Sequence, residues 1–190
     1  MQRTKIIIKA TTITPLYTGE IREEDILIAK KQKITYPIRK TNTGKVLVQF
    51  KGPLRATGEI LLKERGINVC NITLQGGRTC KVCPICVLFG AFGKKGKLNI
   101  GFLVSDDDKS FITRLNTHIK INRENGMIIE SYRSEEVIEG VTFTSKIIAT
   151  DITDEELSIL KDILIELEDK GIGGWTHKGY GRMKYELSII

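Results

Sequence analysis

Thr153 and Glu156 stand just ahead of an apolar stripe formed by Leu157, Leu160, Leu164 and Leu167. A Thr followed three residues later by Glu lets each side chain satisfy an orphan backbone donor of the other, which marks a helix start. Acidic residues in the first turn suit the helix dipole, the leucines recur at the helical period, and Gly171 supplies a stop. The pattern predicts a helix over residues 154–170. Residues 141–149 before it and 182–190 after it alternate apolar and polar, as half-buried strands do. Each of these three elements has one apolar face, so they must cover one another, and the chain has to be a layered structure of helix on sheet.

The rest of the chain extends the pattern. Residues 5–13 alternate Ile and Thr as a first strand. Pro53 fits the first turn of a second helix that runs through Leu54, Ile60, Leu61 and Leu62 to Gly66. Residues 98–104 read as another strand. Three stretches break the regularity, at about 15–45, 68–97 and 105–140. The first carries acidic Glu23, Glu24 and Asp25 followed by basic Lys30, Lys31 and Lys33, and connections that long are functional or disordered. The third is polar and broken by Asn125-Gly126, a hairpin-turn signal. With the insertions removed, the order is βαββαβ, so the fold class expected is α+β with a ferredoxin-like (RRM-type) core. A chain of 190 residues, 41% of them hydrophobic, suffices for one such domain over 1–190 but not for two large ones. No apolar run approaches the ~18 residues of a membrane span. The opening segment reads as a strand rather than a signal peptide, so a cytoplasmic location is expected.

The formal charge of +7 favours an acidic partner, because each phosphate neutralised by Lys or Arg releases counterions. A solvated basic surface is the plainer alternative. Basic residues gather in three places: Arg39, Lys40, Lys45, Lys51 and Arg55 lead into the first long helix, Lys94, Lys95 and Lys97 surround Gly96, and Lys178 and Arg182 lie in the C-terminal loop. A helix start flanked by cations is an anion site in waiting.

Cys80, Cys83 and Cys86 form C-x-x-C-x-x-C, with Cys70 upstream. Spacings of two bring thiolates to one tetrahedral ion, and soft sulfur favours zinc or an iron–sulfur centre. Arg78, Lys81 and Lys94 nearby favour the thiolate form. A structural zinc is the expected cofactor, with Cys70 as fourth ligand and His118 or His177 as substitutes. Free thiols or a disulfide, with Cys83 and Cys86 simply opening a helix, remain the alternative.

The segment GIGGWTHKGYGR (171–182) sets five glycines beside Trp175, His177, Lys178, Tyr180 and Arg182. Glycines admit a phosphate backbone close to main-chain N–H groups. The rings offer faces for base stacking, and the cations offer phosphate contacts. No GK[ST] closes the loop, so it is not a Walker loop. A tight turn packed by Trp175 is the structural alternative.

These residues resemble the RAMP superfamily, and within it the backbone subunits of type III CRISPR effector complexes. KGPLRATGE (51–59) resembles that family's G-S-S-L-K-G helix start, and CPICVLFG (83–90) its cysteine–Leu-Phe-Gly signature. IKINRENG (119–126) with RSEEVIEGVTF (133–143) resembles its Ile-Asp-Arg … Glu-x-Val-x-x-Gly-x-x-Phe segment. GIGGWTHKGYGR is similar to its C-terminal glycine loop. The resemblance implies a protein that stacks with copies of itself and other effector subunits along single-stranded guide RNA, opposite target RNA, in antiviral defence. A protruding thumb would wedge between bases, and it is assigned to the 15–45 loop. Lys51, Arg55 and the glycine loop would hold the guide, with Arg123 and Arg133 as further contacts. Members of this kind can cut target RNA with an aspartate ahead of a proline and a divalent Mg or Mn ion. Here Thr35 occupies that place, and a threonine cannot serve a hard cation as a carboxylate does. Asp25 in the same loop is the substitute candidate for catalysis. Two further readings stand beside this one: a repeat-RNA processing endoribonuclease using His118 or His177 as general acid or base, and a zinc-stabilised basic interaction module.

Overall fold

The computed structural model describes residues 2–20, 22–70 and 79–190. Its centre is β1 (Arg3–Thr12), which pairs antiparallel with β7 (Thr142–Thr150) on one side and β8 (Met183–Ile189) on the other. Beyond β7 come β4 (Leu103–Asp108) and then the edge strand β2 (Lys45–Val48), giving the order β2-β4-β7-β1-β8. Short β3 (Leu98–Ile100) pairs with the far end of β7. Every strand pairing within this sheet is antiparallel.

Ile6, Ile8 and Ala10 of β1 and Phe143, Ile147 and Ala149 of β7 are buried, as the period-two alternation requires. Two helices pack on that face, α2 (Lys51–Glu64) with Leu54, Leu61 and Leu62 inward, and α5 (Asp154–Lys170) with Leu160, Ile163, Leu164 and Leu167 inward. Gly58 of α2 lies where Ile163 of α5 and Ile85 of short α3 (Pro84–Phe89) close in, and a Cβ there would press on both side chains. The capping box of α5 forms as expected. Glu156 N donates to Thr153 Oγ1 at 3.2 Å and Thr153 N to Glu156 Oε2 at 2.9 Å. Gly171 ends the helix at φ +71°.

The hairpin in the third insertion falls where Asn125-Gly126 signals it. The 105–140 stretch enters through α4 (Lys109–Ile112) and forms a separate two-stranded hairpin, β5 (Thr113–Ile121) against β6 (Ile128–Val137). Gly126, at φ +71°, donates to the carbonyl of Asn122 and turns the chain. The 15–45 stretch, assigned the thumb from sequence, closes on itself through antiparallel bridges from Gly19 to Ile38 and from Lys40 to Val46. It forms helix α1 (Glu23–Lys31) and single bridges from Leu16 to Val137, Tyr17 to Gly174 and Tyr36 to Ser134. α1 buries only Ala29, so it has no apolar stripe, and its acidic first turn and basic last turn fit the dipole instead. Residues 71–78, Arg78 among them, lie outside the described part. Among the described residues, no helix is long and apolar enough to cross a membrane.

A candidate nucleic-acid interface and metal centre

α2 starts at Lys51, and no N-cap side chain takes up its first N–H groups. One turn on, Arg55 is held at two points: Nε pairs with Glu59 at 2.9 Å and Nη1 donates to Gly90 O at 2.6 Å. Its Nη2 is buried with no hydrogen-bond partner. Arg55 faces a cleft of about 360 Å³, lined also by Lys51, Gly90, Lys94, Lys95 and Gly96. The described lining contains no carboxylate. A second hollow of about 230 Å³ shares Lys51 and reaches Phe102, over whose ring the Arg39 guanidinium sits at 5.1 Å. The fold thus brings Arg39, Lys51, Arg55, Lys94 and Lys95 onto one stretch of surface. Lys97 is engaged elsewhere, its ammonium 2.8 and 2.7 Å from the two Glu156 oxygens.

The four cysteines converge at the other end of α3. Their sulfur atoms all lie within 4.8 Å of one another. Cys83 is the N-cap of α3 and Cys86 lies in its first turn, so the helix start and the thiol cluster expected as alternatives are one feature. Cys80 N donates to Cys70 Sγ at 2.9 Å, and Cys83 N donates to Cys80 Sγ at 3.2 Å. The Cys80 thiol is lowered to about 6, first by the N–H of Cys83 and then by that of Val82. Burial pushes Cys86 up to about 12. Four sulfur donors at this spacing, with N–H groups aimed at sulfur, fit a tetrahedral soft ion.

The glycine loop follows α5 and includes a 3₁₀ turn at Thr176–Lys178. All of its glycines but Gly179 lie close against the chain itself. A Cβ at Gly173 would run into the Tyr17 carbonyl, one at Gly174 into the Tyr17 ring, and one at Gly181 into the Ile172 carbonyl. Trp175, at φ +59°, stacks on Tyr17 with centroids 4.4 Å apart, and the Lys178 ammonium lies 5.6 Å from its ring centre. Tyr36, Tyr132 and His118 complete an aromatic cluster around it. Beneath it the fully buried Glu136 carboxylate accepts from Ser134 Oγ at 2.7 Å, Tyr180 OH at 3.2 Å and Asn116 Nδ2 at 3.2 Å, and meets His118 Nε2 at 3.2 Å. Burial, then the Glu136 charge, raises the Tyr180 hydroxyl above its ordinary value. The cluster joins the first insertion, the hairpin base and the glycine loop. Sequence reading missed Tyr17, Tyr36, Tyr132 and Glu136, because nothing in their spacing links segments so far apart.

The remaining candidates are dispersed. Asp25 is held by Arg22 at 2.8 Å and Lys40 at 3.5 Å. Thr35 is exposed and its N–H donates to the Arg133 carbonyl. Arg133 projects from β6, Arg123 lies at the hairpin tip, His177 is exposed, and Arg182 pairs with Asp169. No group of three or more metal-ligating side chains other than the cysteines forms among the described residues.

The RAMP superfamily model matches residues 9–184. No curated protein matches the chain. Among solved structures, a chain of the type III-B Cmr-beta complex bound to cognate target RNA, determined by cryo-EM, superposes with a TM-score of 0.72 at 15% identity. That alignment covers 100% of this chain and 61% of the other, so this chain spans about three-fifths of its solved counterpart. The antiparallel sheet, the two covering helices and the match from the first strand into the last lead to one assignment: the chain belongs to the RAMP superfamily.

Proposed function

We propose that this chain is a guide-RNA-binding backbone subunit of a type III CRISPR effector complex, gripping RNA phosphate in the cleft at the start of α2. The observation that carries the reading is the buried, unpartnered Arg55 Nη2 in a cleft that also presents Lys51, Lys94 and Lys95. A buried donor without a partner costs about 1–3 kcal/mol, and a phosphate oxygen would supply the missing acceptor. Family membership and the likeness to a Cmr-beta chain support the same reading. The single-domain, ferredoxin-like description is supported by the order β2-β4-β7-β1-β8, in which β4, β7, β1 and β8 with α2 and α5 make βαββαβ. The β5–β6 hairpin then takes the part of the thumb, with Arg123 and Arg133 along it, and His177, Lys178, Tyr180 and Arg182 form a second contact region. The cysteines hold a zinc ion. Target RNA and neighbouring effector subunits, copies of this chain among them, complete the assembly.

We place cleavage outside this chain's role. Thr35 offers no carboxylate, and Asp25 is already neutralised by Arg22 and Lys40, which leaves it poorly suited to a Mg or Mn ion. The test is binding of the purified chain to labelled single-stranded RNA and to duplex DNA across a salt series, with and without Mn²⁺. Salt-sensitive binding with the RNA intact is expected. Metal-dependent cutting lost in Asp25→Ala would restore a nuclease, metal-free cutting of repeat RNA lost in His118→Ala or His177→Ala would make it a processing enzyme, and equal affinity for both polymers would remove the RNA reading.

A further inference from the structure

We infer that the ion held by Cys70, Cys80, Cys83 and Cys86 sets the shape of the α2 cleft, so that metal occupancy governs how tightly the chain holds a phosphodiester. The inference rests on the reading of that cleft as the RNA site and adds a control to it.

One short segment builds both places. α3 begins in the thiol cluster at Cys83 and ends at Phe89, and the next residue, Gly90, accepts from Arg55 Nη1 at 2.6 Å. From there the chain makes a tight turn, closed by Ala91 N to Lys94 O at 2.8 Å and Lys94 N to Ala91 O at 2.9 Å. The return is fixed against α3. Lys97 N donates to Val87 O at 2.9 Å, and Gly96 lies so close to Leu88, Phe89 and Gly90 that a Cβ would strike their backbone. The cleft wall from Gly90 to Gly96 therefore moves with α3.

A second link is direct. Lys94 Nζ donates to the carbonyl of Lys81 at 2.6 Å. Lys81 lies between Cys80 and Cys83, at φ +63°, a conformation a lysine adopts rarely and one that folds Cys80 back over the N–H of Cys83. Cys83 and Cys86 are buried in the core, but Cys80 is exposed, and the hydrogen bonds anchoring it run to sulfur atoms of the cluster. Zinc–sulfur bonds of about 2.3 Å would hold tetrahedral sulfurs roughly 3.8 Å apart, within the 4.8 Å span of the four sulfur atoms. Losing the ion frees the arm that carries Lys81, and with it the carbonyl that steers the Lys94 ammonium.

The experiment uses the full chain, zinc-loaded and chelated, with metal content measured by mass spectrometry and RNA affinity by anisotropy of a labelled single-stranded oligo(A) across a salt series. Chelation is expected to weaken binding about tenfold, one charge-assisted contact's worth, and to flatten the salt slope by about 0.7, one phosphate on a single strand. Lys94→Ala is expected to bind as weakly as the chelated chain and to lose no more when its zinc is removed. Unchanged affinity after verified zinc loss overturns the coupling while leaving the RNA cleft in place. So does a Lys94→Ala chain that responds fully to chelation. No RNA binding in either state overturns the cleft reading itself, and a chain that takes up no zinc overturns the metal centre. Should chelation unfold the protein, Cys80→Ser in a zinc titration decides: affinity that climbs with zinc supports the coupling, and affinity flat across the titration overturns it.

Discussion

Arg55 and Gly173 show how differently two motif residues can be used. Arg55 spends two of its nitrogens on Glu59 and Gly90 and leaves a third buried and free. Arg55→Gln should therefore weaken single-stranded RNA binding at least tenfold, read by anisotropy at fixed salt. Gly173 has φ +87° and lies against the Tyr17 carbonyl, whereas Gly179 has φ +86° and open space around it. Gly173→Ala should cost clearly more stability than Gly179→Ala, for which strain alone predicts about 1 kcal/mol; chemical denaturation of the two variants side by side makes the comparison. In metal-free protein, Cys80 should react with iodoacetamide as a thiolate above about pH 6, while Cys86, pushed up to about 12 by burial, stays unreactive through neutral pH. A stopped reaction series followed by peptide mass analysis reads both. The cysteines and glycines were legible because their spacing is local. The tyrosines around Trp175 were not, since Tyr17, Tyr36 and Tyr132 meet only after three separate segments have folded.

Among the elements, α5 and the strands beside it carried complete signals: a capping box, one apolar stripe, a glycine stop and period-two alternation. α1 carried none of these and was hidden, because a helix that buries one alanine has only its charge order to announce it. The hairpin was announced by Asn125-Gly126, a turn signal legible because it is local. The base of β6 depends on the Glu136 carboxylate, which gathers four side chains beneath the aromatic cluster. Glu136→Ala should leave those donors unpaired and destabilise the chain by about 3 kcal/mol. Hydrogen exchange should show the loss first in β5 and β6, with α5 and β1 protected until global unfolding.

For the molecule as a whole, the excess of positive charge acquires a direction only in three dimensions. Lys97, Arg182 and Arg65 are paired with carboxylates, while Lys51 and Lys95 line a cleft without one. Replacing Lys51 and Lys95 with alanine should lower the slope of log affinity against log salt by about 0.7 each, and the same pair of changes should leave the thermal midpoint nearly unmoved. The order of pairing has a consequence of another kind. The central strand, residues 3–12, has both neighbours far along the sequence, at 142–150 and 183–189. During synthesis the first strand leaves the ribosome long before either neighbour exists, and its isoleucines must wait uncovered until residues 142–150 and 183–189 have been translated. Slow translation or a stalled message would leave that strand bare, and the cell would meet the protein first as a client for its chaperones.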